Sequence, residues 1–258
     1  GGLIIILGIF LGTFLWADLS NIYILTVIFV SIGLGFLGFI DDLLKIKLKN
    51  SRGLNSRLKL SGQVVISLIA IYILYRYSEH QFLSDLYFPF FKNLILPMGF
   101  FFIPFALFVI VGASNAVNLT DGLDGLATVP VMLVALSYTL ISYVVGNTIF
   151  AEYLKIPYVE NAGELSIFCG AIFGSCLGFL WYNAPPAKIF MGDTGSLSLG
   201  GSLAAVAIIV KHEIVLAIIG GLFVLETVSV IIQVLSFKMT GKRVFMMAPI
   251  HHHFEKKG

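Results

Sequence analysis

Carboxylate and carboxamide side chains are concentrated between two long apolar runs in the middle of this 258-residue chain. The stretch 114–125 holds two asparagines, a threonine and two glycines, together with Asp121 and Asp124. If this stretch is helical, the two aspartates are three residues apart and share one face. The glycines leave the backbone open to a ligand. The alternative is a polar helix cap followed by turn glycines.

A second acidic group, Asp41 and Asp42, ends an earlier apolar run and is followed by Lys45. On a helix the lysine reaches either acid. Adjacent helical side chains diverge by roughly 100°, so we expect separate roles, one at a metal and one at a phosphate. The alternative is a charged collar at a membrane surface. A basic segment follows, and of its residues we expect Arg57 and Lys59 to point into the same site because they begin the next helix.

A third stretch, 181–196, passes through a Pro-Pro turn to Gly192 and Asp193 and continues into a helix of small residues. Backbone amides at such a helix start, together with Ser196, are typical of a phosphate cradle. Asp193 offers the hard oxygen ligand that Mg²⁺ prefers, although it could instead be a simple helix cap. The ring of Phe190 could stack on a flat ligand or anchor the loop.

Three consecutive histidines, His251, His252 and His253, lie near the end of the chain. Neighbouring side chains rarely converge on one ion, and no H-E-x-x-H spacing is present. We therefore prefer imidazoles that donate hydrogen bonds to a phosphate, carry charge or shuttle a proton.

The elements that position these groups are membrane-spanning helices. Residues are 58% hydrophobic and only 12% charged, more apolar surface than one soluble core can bury. Because a span needs about 20 mostly apolar residues, we predict an all-α, polytopic membrane protein with about eight spans. The predicted spans are 3–17, 22–40, 60–77, 98–113, 124–145, 164–182, 196–210 and 213–237.

Lysines and arginines predict the orientation. If the segment after the second span is cytoplasmic, twelve of the sixteen lie on the cytoplasmic side, and only Arg76, Lys92, Lys155 and Lys211 lie outside. All the polar motifs then fall on the cytoplasmic face. On the outer side, the aromatic loop 78–97 is a candidate hairpin. Within the last span, Gly220-Gly221 predicts a bend. Glu226 in the same span is either a buried acid that requires a partner or an acid that faces a cavity.

Carboxylates without thiols, basic residues, a glycine-rich loop and histidines at one membrane face favour Mg²⁺-dependent phosphoryl chemistry on an amphiphilic substrate. An ion-coupled transporter using Asp121, Asp124 and Glu226 is a remote alternative. It predicts charges near the bilayer midplane, whereas the acids here cluster at the ends of spans on one face. An intramembrane metalloprotease would need separated ligands in metal spacing. Nothing in the sequence indicates a nucleic-acid partner.

Four motifs in this order resemble those of the polyprenyl-phosphate N-acetylhexosamine-1-phosphate transferases. They are Asp41-Asp42-Leu43-Leu44-Lys45, the stretch 115–125, Gly192-Asp193-Thr194-Gly195-Ser196 and His251-His252-His253-Phe254-Glu255. The resemblance covers essentially the whole chain. The unbroken histidine run resembles the branch of the family that uses UDP-MurNAc-pentapeptide as donor. A transferase for UDP-GlcNAc is the alternative within the family.

The resemblance implies transfer of phospho-MurNAc-pentapeptide to undecaprenyl phosphate, giving lipid I and UMP for peptidoglycan synthesis. It implies Mg²⁺ bound by Asp193, and a lipid phosphate bound or deprotonated by Asp41 and Asp42. His251, His252 and His253 would contact the diphosphate or assist the chemistry. The remaining substrate-binding candidates are Lys45, Arg57, Asn118, Asp121, Asp124, Asn183, Phe190 (near the uracil), Gly192, Ser196 and Gln233.

The resemblance also implies an architecture. We expect a single transmembrane catalytic domain over 1–258, forming an internal portion of a protein with about ten spans. The expected location is a bacterial plasma membrane with the active site on the cytoplasmic face, where lipid bilayer and both substrates meet. Family members are commonly dimeric, so a homodimer is a further expectation.

Overall fold

The computed structural model describes residues 1–49, 53–77 and 84–257. Within these ranges the chain is almost entirely helical. The elements are α1 (Gly2–Trp16), α2 (Ile22–Leu48), α3 (Ser56–Tyr77), β1 (Asp85–Tyr87), β2 (Ile95–Pro97), α4 (Phe102–Thr120), α5 (Thr128–Val145), α6 (Thr148–Leu154), α7 (Leu165–Asn183), α8 (Gly192–Ile209), α9 (Glu213–Ile219), α10 (Gly221–Thr240) and α11 (Ile250–Glu255).

In the described part of the chain, seven helices are long and apolar enough to cross a membrane, and they include α2, α3, α4, α5, α7, α8 and α10. The apolar α1 is shorter, at 15 residues. Large apolar side chains such as Phe100 and Trp181 are more than three-quarters exposed, which suits a lipid solvent. The predicted polytopic helical class is confirmed, and α1 has the predicted length but is too short to count among the seven.

Helix α8 is the centre of the fold. Nearly all of its side chains are buried, mainly between α2 and α4. Small residues permit this close packing: a Cβ added at Gly200 would lie 2.5 Å from the carbonyl oxygen of Ala113, and one at Gly201 only 2.0 Å from a methyl of Leu34. The helix that carries Asp193 is therefore fixed by close contacts on two sides, with the backbone of α4 and a side chain of α2.

Several boundaries differ from the sequence prediction. Helix α5 begins at Thr128 rather than 124, because 121–127 form turns, and α8 begins at Gly192 rather than 196. The predicted bend is confirmed, since the last predicted span is divided at Gly220 into α9 and α10.

A two-stranded antiparallel hairpin precedes α4. Strand β1 pairs with β2 in the register Asp85 with Pro97 and Tyr87 with Ile95, so the hairpin predicted within 78–97 is confirmed. Residues 78–83 of that loop lie outside the described residues, as do Asn50 and Arg52 of the basic segment. The hairpin and the start of α8 lie at opposite ends of the helices, because α4 begins beside the hairpin and α8 begins near the end of α4.

Candidate active site

Three carboxylates meet where α8 begins. Oxygen atoms of Asp41, Asp42 and Asp193 all lie within 4.8 Å of one another. Asp42 contacts the start of α8 and Asp41 lies in the same cluster, so α8 approaches α2 closely here. That the two acids have separate roles stays a prediction. Gly38 permits the approach, because a Cβ there would lie 2.2 Å from the Asp193 carbonyl oxygen. The arrangement offers three hard oxygen ligands at one point.

Two lysines from different helices neutralise this acidic cluster. Lys45 Nζ lies 2.6 Å from Asp41 Oδ2 and 2.7 Å from Asp193 Oδ2. Lys59 Nζ lies 2.7 Å from the same Asp193 oxygen. Lys45 and Asp41 form an ion pair in which Asp41 Oδ2 accepts no hydrogen bond from the described residues. Asp41 Oδ1 accepts the Leu54 amide, which ties the basic segment to the cluster.

Asp42 caps α8. Its oxygens accept hydrogen bonds from the amides of Asp193 and Thr194 and from the Thr194 hydroxyl, at 3.3, 3.0 and 2.8 Å. A carboxylate is favoured there by the positive end of the helix dipole. The amides expected to form an open phosphate cradle are therefore engaged by an acid of the chain itself.

Asn118, in the last turn of α4, connects Asp193 to the rest of α8. Its amide donates to Asp193 Oδ1 at 2.7 Å and to Ser196 Oγ at 2.9 Å. The Ser196 hydroxyl donates to the Gly192 carbonyl, so Ser196 completes this internal network. Asp193 thus has a fixed orientation, with Asn118 on one oxygen and the two lysines on the other.

Asp121 and Asp124 both hold the loop that leads into α8. Asp121 accepts the Gly192 amide and Asp124 accepts the Ala187 amide. The helical interpretation of this stretch is wrong: α4 ends at Thr120, and the aspartates converge because they grip one loop. Burial raises the pKa of Asp121 to about 6, with the nearby Asp193 and Asp42 carboxylates adding to the effect and the Gly192 amide opposing it.

The loop 184–191 is held at its other end by Asn183. This buried amide donates to the Ile189 carbonyl and accepts from the Thr128 hydroxyl. Phe190 is 56% exposed in the same loop, so its ring presents a free face beside Gly192. An apolar groove of about 540 Å³ runs from Asp124 along α5 and α7. Its apolar lining includes Leu123, Leu126, Val129, Leu180 and Leu222.

The three histidine rings face three different partners. His251 Nδ1 lies 3.1 Å from Glu226 Oε2 in a buried pair, His252 Nδ1 lies 2.8 Å from Glu255, and His253 Nδ1 accepts the Met246 amide. The predicted partner of Glu226 is thus found, and the side chains do not converge on one point. His251 Nε2 faces Gly122, where an added Cβ would lie 2.4 Å away.

Gln233 and Arg57 lie outside the acidic cluster. Gln233 accepts the amides of Val244 and Phe245 and donates to the Phe245 carbonyl, so it holds the segment that leads to the histidines. Arg57 is exposed in the first turn of α3, whereas Lys59, on the same turn, reaches Asp193. Sequence reasoning missed Thr194 and Thr128, whose roles depend on cross-chain contacts that no local pattern shows.

The acids, lysines and amides form one cluster at the start of α8, and an apolar groove begins beside Asp124. The chain belongs to glycosyl transferase family 4, whose sequence profile matches residues 24–211. Two relatives match over the whole chain, and the chain spans 72% of the length of each. Both are named phospho-N-acetylmuramoyl-pentapeptide-transferase: that of Pelagibacter ubique (strain HTCC1062) is 66% identical, and that of Rhodopseudomonas palustris (strain BisB18) is 59% identical.

Proposed function

We propose that the protein transfers phospho-MurNAc-pentapeptide from UDP-MurNAc-pentapeptide to undecaprenyl phosphate, forming lipid I and releasing UMP. The observation that carries the proposal is the meeting of Asp41, Asp42 and Asp193 with Lys45 and Lys59 at one end of α8. The names of the two relatives support the substrates. The reaction belongs to peptidoglycan synthesis.

The reaction brings a phosphate against a diphosphate, so the site must bind anions and hold positive charge between them. Lys45 and Lys59 supply that charge from two helices. Both ammonium groups contact the same Asp193 oxygen, and we propose that they turn to phosphate oxygens when substrate binds. The hydrogen bond from Asn118 to the other Asp193 oxygen holds this carboxylate in place when the ammonium groups move.

The carboxylates fit a Mg²⁺ ion, which prefers hard oxygen ligands and one or two carboxylates together with substrate phosphates. We propose that Asp193 and Asp41 hold the ion. When bound, it supplies positive charge that stabilises the developing charge on the phosphoryl oxygens. Asp42 is committed to the start of α8 by three hydrogen bonds, so we assign it a positioning role rather than proton transfer.

The lipid and nucleotide ends of the substrates are assigned to two neighbouring surfaces beside Asp124. The apolar groove beside Asp124 suits an isoprenoid chain, because it is lined by leucine and valine side chains and opens along the helices. The loop held by Asp121, Asp124 and Asn183 presents Phe190, whose exposed ring can stack on uracil. We propose that the two phosphate groups extend from these surfaces to the acidic cluster.

The histidine segment closes the site from the third side. His252 and His253 are the more accessible rings, whereas His251 is buried against Glu226. We propose that His252 and His253 donate to the diphosphate and that His251, fixed by Glu226, anchors α11 over Gly122. The site lies on the cytoplasmic face of a bacterial plasma membrane, as the distribution of lysines and arginines indicates, in a single catalytic domain that forms a homodimer.

The test is UMP release by the full-length purified protein with undecaprenyl phosphate and Mg²⁺. UDP-MurNAc-pentapeptide and UDP-GlcNAc are offered separately, and each reaction is repeated with EDTA. We expect turnover of the muramoyl donor alone, abolished by EDTA and restored by Mg²⁺. Turnover of UDP-GlcNAc in its place would overturn the donor assignment, and turnover unaffected by EDTA would overturn the metal.

A further inference from the structure

A second cavity, lined in part by three lysines, lies at the opposite end of α8 from the acidic cluster. It encloses about 240 Å³ between the hairpin, the end of α6 and the turn that joins α8 to α9. Since α8 has 18 residues and a helix rises about 1.5 Å per residue, the two sites are separated by about 27 Å. This cavity therefore does not belong to the transfer site.

Most of the lysines and arginines predicted for the outer face of the membrane line this cavity. Only four lysines or arginines of the whole chain fall on that side of the predicted topology. Three of them, Lys92, Lys155 and Lys211, line this one cavity, together with His212. Positive charge is disfavoured on the outer side of a membrane protein, so its concentration at one point is not explained by topology.

Among the residues that the structure describes, Lys92 and Lys155 have no neighbouring acid to balance their positive charge, whereas Lys211 has one. Lys211 is buried, with its Nζ 3.5 Å from Glu213 Oε1 and 4.0 Å from the centre of the Phe102 ring. Lys92 donates to a neutral partner, the Leu154 carbonyl. In the described part of the chain, no carboxylate lies within ion-pair distance of Lys92 or Lys155.

The rest of the lining is apolar or aromatic. Tyr87 and Phe88 come from the hairpin, and Ile156 and Val215 come from the helical side. The neighbouring Phe90 and Phe91 are largely exposed, as expected for residues at the membrane interface. A ligand bound here would thus meet positive charge on one side and apolar surface on the other.

We infer that this cavity binds a phosphate anion at the outer membrane interface, with the phosphodiester headgroup of an anionic lipid as the form that fits its surroundings. Lysine ammonium groups are suited to phosphate as point charges, and basic pockets between membrane helices bind lipid headgroups. The cavity is smaller than the 300–1,000 Å³ typical of sites for drug-sized ligands, which suits a headgroup. Lys92 and Lys155 would contact the phosphate, and Lys211 with Glu213 would form the floor.

The test measures binding to delipidated full-length protein by native mass spectrometry. The probes are dioleoyl-phosphatidylglycerol, dioleoyl-phosphatidylcholine and inorganic phosphate. The test variant is Lys92→Gln/Lys155→Gln, and the matched control is Arg76→Gln, which removes the fourth outer cation, one that does not line the cavity. If each lysine strengthens binding of an anionic lipid about fivefold, the double variant should bind phosphatidylglycerol about 25-fold more weakly.

The control should remain within about twofold of the unaltered protein, as for a surface substitution remote from a site. Loss of phosphatidylglycerol without displacement by inorganic phosphate identifies a lipid site. Equal loss of inorganic phosphate, with no preference for phosphatidylglycerol over phosphatidylcholine, identifies free phosphate as the ligand. Should the double variant not fold, Lys155→Glu at an exposed position serves instead. Equal weakening in Arg76→Gln, or no preference for any anion, would overturn the inference.

Discussion

The two ends of α8 both bring lysines against carboxylates, but they do so in different ways. At the start of the helix, Lys45 and Lys59 come from α2 and α3, meet Asp193 and are 33% and 18% exposed. At its far end, Lys211 and Glu213 are two residues apart and at most 1% exposed. Charges assembled from distant segments and left partly open are available to a ligand, whereas a local, closed pair stabilises the turn that contains it.

Removing the acid at the open end should cost activity. We expect Asp193→Asn to lower the rate of UMP release by about 10³-fold, because electrostatic groups aimed at developing charge contribute on that order. The fold should persist, since asparagine keeps the partner of Asn118. Asp18→Asn, the same change on an exposed loop, is the matched control. A rate within about tenfold of the unaltered protein would remove Asp193 from the metal site.

Removing the lysine at the closed end should instead cost stability. Breaking a buried ion pair on one side leaves an uncompensated charge and costs about 3–5 kcal/mol, so Lys211→Met should lower the free energy of unfolding by that amount. Lys155→Met, at an exposed lysine nearby, should change it by less than about 0.5 kcal/mol. Thermal unfolding in detergent measures both.

The double variant Lys211→Met/Glu213→Gln sharpens this comparison. It removes the buried acid as well, and we expect it to recover most of the lost stability. If Lys211→Met alone unfolds like the unaltered protein, the pair does not stabilise the turn and the two ends of α8 do not differ in the way described.

Asp121, at the edge of the open end, should make stability depend on pH. Its folded pKa of about 6 is above its ordinary value of 3.8, so the unfavourable cost of ionising it in the folded protein is absent below about pH 4 and complete above about pH 6. A shift of this size corresponds to about 2–3 kcal/mol. Asp121→Asn should thus raise the thermal midpoint at pH 7.5 and leave it nearly unchanged at pH 4. The same gain at both pH values would contradict the pKa.

The smallest effect is expected at Gly122. A Cβ at this position would lie 2.4 Å from His251 Nε2, so Gly122→Ala should displace the ring from its place beside Glu226. We expect about a tenfold loss of turnover, because misplacing a catalytic segment by about 1 Å can reduce rates by up to 100-fold. Gly174→Ala on α7, where the added methyl meets open space, is the matched control. Equal rates in both variants would show that the position of His251 does not matter.

The sequence predicts the fold class and most of the acidic cluster, because the length of an apolar run and the position of a charged residue can be read locally. It was also sufficient for the bend at Gly220, the hairpin and the need of Glu226 for a partner. Each of these follows from a residue type that is costly in its surroundings unless the structure accommodates it.

What sequence reasoning could not supply was the direction of each side chain across helices. Asp41 and Asp42 are adjacent on α2, and the start of α8 packs against them and adds Asp193 to the same cluster. The sequence predicts a shared face for Asp121 and Asp124 only if their stretch is helical, but the helix ends at Thr120 and both bind the same loop. Both outcomes depend on where a distant segment packs.

The burial of α8 limits which parts of such a protein can evolve. The backbone of Ala113 packs against Gly200 and the Leu34 side chain packs against Gly201. Almost no residue of α8 can therefore be replaced by a larger one without moving two other helices. New donor preferences must then be acquired in the surrounding segments, such as the loop around Phe190 and the chain held by Gln233, while the helix they surround stays the same.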